Sequence, residues 1–324
     1  MAVYTHLSSE ELNELIHAYD VGELVSAKGI AEGVSNSNWL IETTGGAEGG
    51  TRFILTMYEF RIELDDLPFF LGLLDHLSAR GCPVPRTIHD CEGAASRRIG
   101  GKAVALIQFL PGVSISHPTA GQAGAVGAAL AGIHLAARDY VPQRTNAMGM
   151  TEWRRLIDAC GDDGMARIDP ALPRIAKREL DFLQAHWPRD LPEGTIHADL
   201  FPDNVLMLDN QVSGLIDFYF ACTDMLAYDI AVTHAAWCFT PDGKFQPAIS
   251  DALLNGYHSV RPISEAERSA LPVLARGAAM RFLSSRAYDW LNTPLDAMVT
   301  RKDPMDFARR LSFYEAQGAK AFKS

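Results

Sequence analysis

The sequence predicts an α+β protein of two lobes, an antiparallel-sheet N-terminal lobe over residues 1–109 and a mainly helical C-terminal lobe over residues 110–324. Three observations predict it. Strand-like runs around a Gly-rich turn gather in the first third of the chain. From Leu110-Pro111-Gly112 onward the apolar residues fall at helical spacing. Only residues 204–218 return to a strand pattern there. With 324 residues and 48% hydrophobic composition, the chain can bury a core in one large or two modest domains.

The elements follow in order. Ser8-Ser9 before Glu10-Glu11 signals a helix start, and Leu12, Leu15, Ile16 and Tyr19 continue at helical spacing over residues 8–20. Residues 34–43 and 52–58 read as strands separated by the hairpin tip Gly45–Gly50. A helix over 67–80 is stopped by Gly81, with Pro83 beyond it. Two more strands are expected around 87–89 and 102–109. Helices are then expected over 119–138, 153–160, 173–187, 224–239 and most of 249–313. There is no internal repeat and no low-complexity tract.

Composition excludes several classes. The net charge of −11 argues against phosphate-driven nucleic-acid binding, which needs clustered Lys and Arg. Cys82, Cys91, Cys160, Cys222 and Cys238 are scattered and odd in number, which fits reduced thiols better than a disulfide framework or a zinc site. The N-terminus has neither a basic start nor an apolar h-region, and no run approaches the roughly 20 apolar residues of a membrane span. The expectation is a soluble cytoplasmic protein with neither a nucleic-acid nor a membrane partner.

The chemistry concentrates between His197 and Asp217. Ile196-His197-Ala198-Asp199-Leu200-Phe201-Pro202-Asp203-Asn204 contains H-x-D-x-x-x-x-N, the spacing in which an Asp accepts a substrate hydroxyl proton and an Asn holds magnesium. Val205–Leu208, a turn at Asp209–Gln211 and Val212–Ile216 then form a hairpin. Centred between Asn210 and Gln211, it would set Asn204 opposite Asp217. An amide oxygen and a carboxylate are hard ligands of the kind Mg²⁺ prefers, with water and nucleotide phosphates completing the shell. Asp199 as base with Asn204 and Asp217 as ligands is a phosphoryl-transfer constellation. Asp203 reads as a solvated turn residue, and His197 and His134 as structural. Gly33–Asn38 offers N–H groups and small polar side chains to phosphates, yet lacks G-x-G-x-x-G and a Walker A loop, so by itself it reads as a polar turn. Gln108 and Leu110 lie where the lobes should join, the natural place for adenine.

His197–Phe201 with Asn204, then Ile216-Asp217-Phe218-Tyr219-Phe220-Ala221, resembles the aminoglycoside phosphotransferase and choline kinase superfamily, and more narrowly its homoserine kinases. Further blocks similar to that family are Gly33–Trp39, Phe53–Glu59, Leu67–Leu73, Gly256-Tyr257 with Arg261-Pro262, and Arg281–Asp289. The resemblance implies a two-lobed protein-kinase-like fold and ATP- and Mg²⁺-dependent phosphorylation of the L-homoserine hydroxyl, a step toward threonine. It implies Asp199 as base, Asn204 and Asp217 on magnesium, and Ser35, Asn36 and Asn38 at the phosphates. The third-strand lysine of protein kinases is replaced by Thr56, with Arg52 or Arg61 as other sources of positive charge. A zwitterionic substrate calls for Arg281 or Arg286 on its carboxylate and Asp224 on its ammonium, with Tyr219 walling the pocket. The competing readings are a kinase for another hydroxyl compound, such as an aminoglycoside or choline, and a nucleotide-binding pseudokinase.

Overall fold

The computed structural model describes residues 7–30, 36–47, 50–59, 63–293 and 301–323. The chain divides into two compact units, Met1–Pro111 and Gly112–Ser324.

In the first unit α1 (Ser9–His17) opens with a reciprocal capping box between Ser8 and Glu11. It is followed by β1 (Leu24–Ile30), β2 (Asn36–Thr43), β3 (Arg52–Tyr58), α2 (Leu67–Ala79), β4 (Thr87–Ile88), β5 (Arg97–Ile99) and β6 (Lys102–Gln108). Among the described residues these strands form one antiparallel sheet in the order β1-β2-β3-β6-β4, with β5 paired to β6. Strand side chains alternate between faces. Trp39, Ile41, Phe53, Leu55, Met57, Val104 and Leu106 therefore share one face, and they form a core with Leu12, Leu15 and Ile16 of α1. The other face carries Asn38, Thr56 and Ala105, in register across β2, β3 and β6.

The sequence gives no sign of β1 or β5. β1 is exposed along most of its length, with Val25 63% accessible, so no alternating apolar signal exists. β5 is Arg-Arg-Ile, too short for a period. Both are held by the backbone ladder of a neighbouring strand, which is blind to side chains.

The second unit contains α3 (Ala120–Ala136), α4 (Met150–Ile168), α5 (Leu172–His186), β7 (Glu193–Ile196), β8 (Val205–Leu208), β9 (Gln211–Leu215), β10 (Cys222–Met225), α6 (Leu226–Trp237), α7 (Pro247–Val260), α8 (Glu265–Asn292) and α9 (Met305–Gln317). Every residue of α6 is buried, and α6 packs against α8. Strand structure here extends beyond residues 204–218, because β7 pairs with β10. Asp224, expected in a helix, is consequently in β10 opposite Gly194, and the helix begins at Leu226. The helix expected over 153–160 breaks at Gly161 (φ 63°, ψ 159°) and resumes to Ile168. Among the described residues no helix is long and apolar enough to cross a membrane.

The α3–α7 crossing explains the Ala- and Gly-rich composition of α3. A Cβ on Gly127 would lie 2.1 Å from the Leu253 carbonyl oxygen, and one on Gly256 2.1 Å from that of Gly124. The helices therefore meet backbone to backbone. Gly127→Ala must push α7 away, and overpacking of this kind costs about 1–3 kcal/mol. The expected result is a lower urea midpoint at unchanged m-value; an unchanged midpoint would show that the crossing yields freely.

Candidate active site

The loop leaving β7 is fixed from several sides before any ligand is considered. His197 is fully buried. Its Nδ1 accepts the Asp199 N–H at 3.2 Å, so its Nε2–H donates to the Ile216 carbonyl at 3.0 Å. Burial pushes its pKa down, and a neutral imidazole bracing the loop is the result. Asp229 of α6, itself buried, accepts the N–H of His197 at 2.7 Å and of Ala198 at 2.8 Å, and its Oδ2 lies 3.0 Å from Nε2 of His134. The Trp237 indole donates to the Leu200 carbonyl at 2.9 Å. Ala198 sits at φ 63°, where an L-residue is penalised by about 1–2 kcal/mol. The bonds from α6 hold it there.

Asp199 follows, its side chain 17% exposed. Burial raises its pKa, and the nearby Arg281 guanidinium opposes the rise. Asn204 closes the loop: its Nδ2–H donates to the Asp199 carbonyl at 2.8 Å. That bond fixes the amide orientation and leaves Oδ1 without a hydrogen bond among the described residues. The Ile216 N–H donates to the Asn204 carbonyl at 3.0 Å, so Asn204 faces Ile216 and not Asp217. The expected register is thus corrected. Only Asp209 and Asn210 form the turn, with Asp209 at φ 53°, and the ladder shifts between Leu206 and Met207. Asp217 reaches the site differently. It stands at φ 64°, ψ 56°, past the end of β9 at Leu215, and starts the turn Phe218–Phe220. Asp217 is an exposed residue, and its carboxylate accepts no hydrogen bond among the described residues. Surrounding protein, together with the charges of Asp199 and Asp203, drives its pKa upward.

This cluster fits a hard cation. Among the described residues no three His, Cys, Asp or Glu side chains converge as a self-sufficient metal site. One unpartnered carboxylate and one oriented amide oxygen are a partial donor set, suited to an ion that keeps waters and shares phosphate oxygens.

The remaining predicted residues are distributed as follows. Arg281 of α8 is 2% exposed and turned toward Ala198 and Asp199. Arg286 Nη1 donates to the Asp303 carbonyl and to Asp306 Oδ2, both at 3.2 Å, and lies over Phe307. Asp224 accepts from Asn146 Nδ2 and the Met225 N–H, both at 2.7 Å. Tyr219 is partly buried in the turn after Asp217. In the first unit, Asn38 Oδ1 accepts the Thr56 hydroxyl at 2.8 Å, so the residue in place of the lysine is a hydrogen-bond donor without charge. The Asn36 Oδ1 is buried without a partner among the described residues. Gln108 ends β6 and its Oε1 accepts the Arg86 N–H at 3.3 Å; Leu110 follows, half-buried. Arg52 lies over Phe109. Ser35 and Arg61 fall outside the described residues.

Two residues escaped sequence reasoning. Asp229 left a signal, a lone carboxylate inside the apolar run Met225–Val232, which a buried position tolerates only with partners. Lys302 left none: its Nζ lies 3.3 Å from Asp203 Oδ2, and its charge opposes the upward pKa shifts of Asp199 and Asp217.

The sequence model of the phosphotransferase enzyme family matches residues 26–263. The chain is 51% identical over 321 residues to a homoserine kinase of Acidiphilium cryptum, covering 99% of each. It belongs to the phosphotransferase family, among the homoserine kinases. Another homoserine kinase of this group, from Nitrobacter winogradskyi, is 50% identical over 321 residues, with 98% of this chain and 96% of that one covered. In fold the chain is similar to an amicoumacin kinase solved with AMP-PNP, Ca²⁺ and Ami, at a TM-score of 0.70 and 14% identity over 97% of this chain and 94% of that one. The sheet-rich first unit and helical second unit are thus the architecture of phosphotransferase-family kinases, and the α+β expectation holds.

Proposed function

We propose that the chain transfers the terminal phosphoryl group of ATP to the side-chain hydroxyl of L-homoserine, with Asp199 as the base. The observation that carries the reading is the gathering of Asp199, Asn204 and Asp217 within one braced loop and the hairpin after it. Asn204 Oδ1 and Asp217 would hold Mg²⁺, which when bound offsets charge on the phosphate oxygens. Asp199 receives the hydroxyl proton; burial raises its pKa, and the charges of Arg281 and Lys302 oppose the rise. Asn36 and Asn38 are assigned to the nucleotide phosphates, and Gln108 and Leu110 to adenine. Asp224 is assigned to the substrate ammonium. Homoserine is favoured over an aminoglycoside or choline by full-length identity of about half to homoserine kinases, whereas likeness to the antibiotic kinase extends to fold alone.

ADP release with Mg-ATP and a panel of L-homoserine, L-serine, choline and kanamycin tests the reading. Turnover on homoserine alone is expected. Turnover on another member keeps the chemistry and removes the substrate; ATP binding without transfer to any member removes both.

A further inference from the structure

A guanidinium leaves water at a steep cost unless charges and hydrogen bonds replace its hydration. Arg281 is 2% exposed. Its Nη1 donates to the carbonyl oxygen of Ala198, and its Nη2 lies 3.6 Å from Asp199 Oδ1. The rings of Phe282 and Phe220 stand 4.6 and 5.1 Å from its central carbon. Both terminal nitrogens therefore serve the loop. Nε is buried without a hydrogen-bond partner among the described residues.

The residue that receives this contact is the strained one. Ala198 is at φ 63°, and its own N–H is held at 2.8 Å by Oδ1 of Asp229. An anion from α6 thus fixes the peptide before Ala198, and a cation from α8 fixes the peptide after it. Those two peptide planes set the direction in which the next side chain, Asp199, leaves the backbone.

We infer that Arg281 is a positioning residue for Asp199: it locks the Ala198–Asp199 peptide and so aims the base, in place of reading the substrate carboxylate. The inference rests on Asp199 being the base, as proposed above. It distinguishes itself kinetically, because a group that binds the substrate carboxylate equally in ground and transition states acts on KM, whereas misaiming a base acts on kcat.

The experiment is steady-state kinetics with homoserine and Mg-ATP on Arg281→Gln, Arg281→Lys, and Arg281→Gln combined with Ala198→Gly. Arg281→Gln is expected to lose about 100-fold in kcat with both KM values within about threefold of wild type, the scale of a displaced catalytic group. Adding Ala198→Gly is expected to restore about tenfold, because glycine takes a positive φ without the Cβ penalty. Arg281→Lys, which keeps one charged donor, should fall between wild type and Arg281→Gln, and it carries the test if circular dichroism shows the Gln variant unfolded. A homoserine KM raised about 30-fold or more at near-normal kcat would overturn the inference in favour of substrate reading. A kcat loss that glycine does not relieve would also overturn it, as would wild-type kinetics. Asp199→Asn at full turnover would instead remove the base assignment and this inference with it. An inactive Asp199→Asn beside any of the preceding three results removes this inference alone.

Discussion

Asp199→Asn is expected to lower kcat about 1,000-fold while leaving the fold and the homoserine KM nearly unchanged, the usual scale for loss of a positioned general base. The amide is isosteric and keeps an oxygen toward Asn204 and Arg281, but it cannot take the proton. The loop around it does not depend on that carboxylate. The backbone N–H groups of His197 and Ala198 are held by Asp229, the Leu200 carbonyl by Trp237, and the Asn204 amide by the Asp199 carbonyl oxygen. ADP release beside a thermal melt reads both halves of the expectation. Turnover within about tenfold of wild type would leave positioning and charge alone to carry the rate, and would remove Asp199 from the chemistry.

Asp229→Ala should be the most destabilising single change near the site, by about 3–5 kcal/mol, because breaking a buried charged network strands its partners. The N–H groups of His197 and Ala198 would lose their acceptor in a dry environment, and Nε2 of His134 its contact. With the left-handed Ala198 released, kcat should fall as well. The effect has a defined pH sign. Burial alone would raise the Asp229 pKa, but hydrogen bonds from His134 and the His197 backbone outweigh it and hold it below 3.8. The unfolded chain therefore takes up this proton first on acidification. The stabilisation is present in full above the ordinary carboxyl value and is lost as pH falls from there through the lower pKa of the folded state. Urea titrations of wild type and Asp229→Ala between pH 7 and 3 should show a difference that shrinks toward the acid end. A constant difference would mean that packing, not charge, is what Asp229 supplies.

Much of this was legible in the sequence, and particular residues show why. Trp39, Ile41, Phe53, Leu55 and Met57 alternate, so β2 and β3 announce both their conformation and their buried face. His197, Asp199, Asn204 and Asp217 lie within one loop and one hairpin, so their spacing alone brings them together. Short-range geometry of this kind survives even an error of register: the hairpin turn is two residues long, Asn204 faces Ile216, and Asp217 still arrives through its own left-handed turn.

The rest belonged to the tertiary structure. Strands β1 and β5, and the β7–β10 pair, have no periodic side-chain signal, because what stabilises them is a backbone ladder to a neighbour the sequence does not name. The same holds for Asp224, whose place in a strand depends on pairing with Gly194. Asp229 and Arg281 grip Ala198 from 31 and 83 residues away along the chain. Composition states that α6 and α8 carry charged residues among apolar ones. Which distant peptide such a charge meets is decided only when the helices pack, since the energy of a buried ion resides in its partners and not in its neighbours in sequence. The sequence by itself therefore determined the fold class and the loop and hairpin that bring Asp199, Asn204 and Asp217 together. The tertiary structure decided what braces that loop, because bracing is done by groups brought together from separate helices.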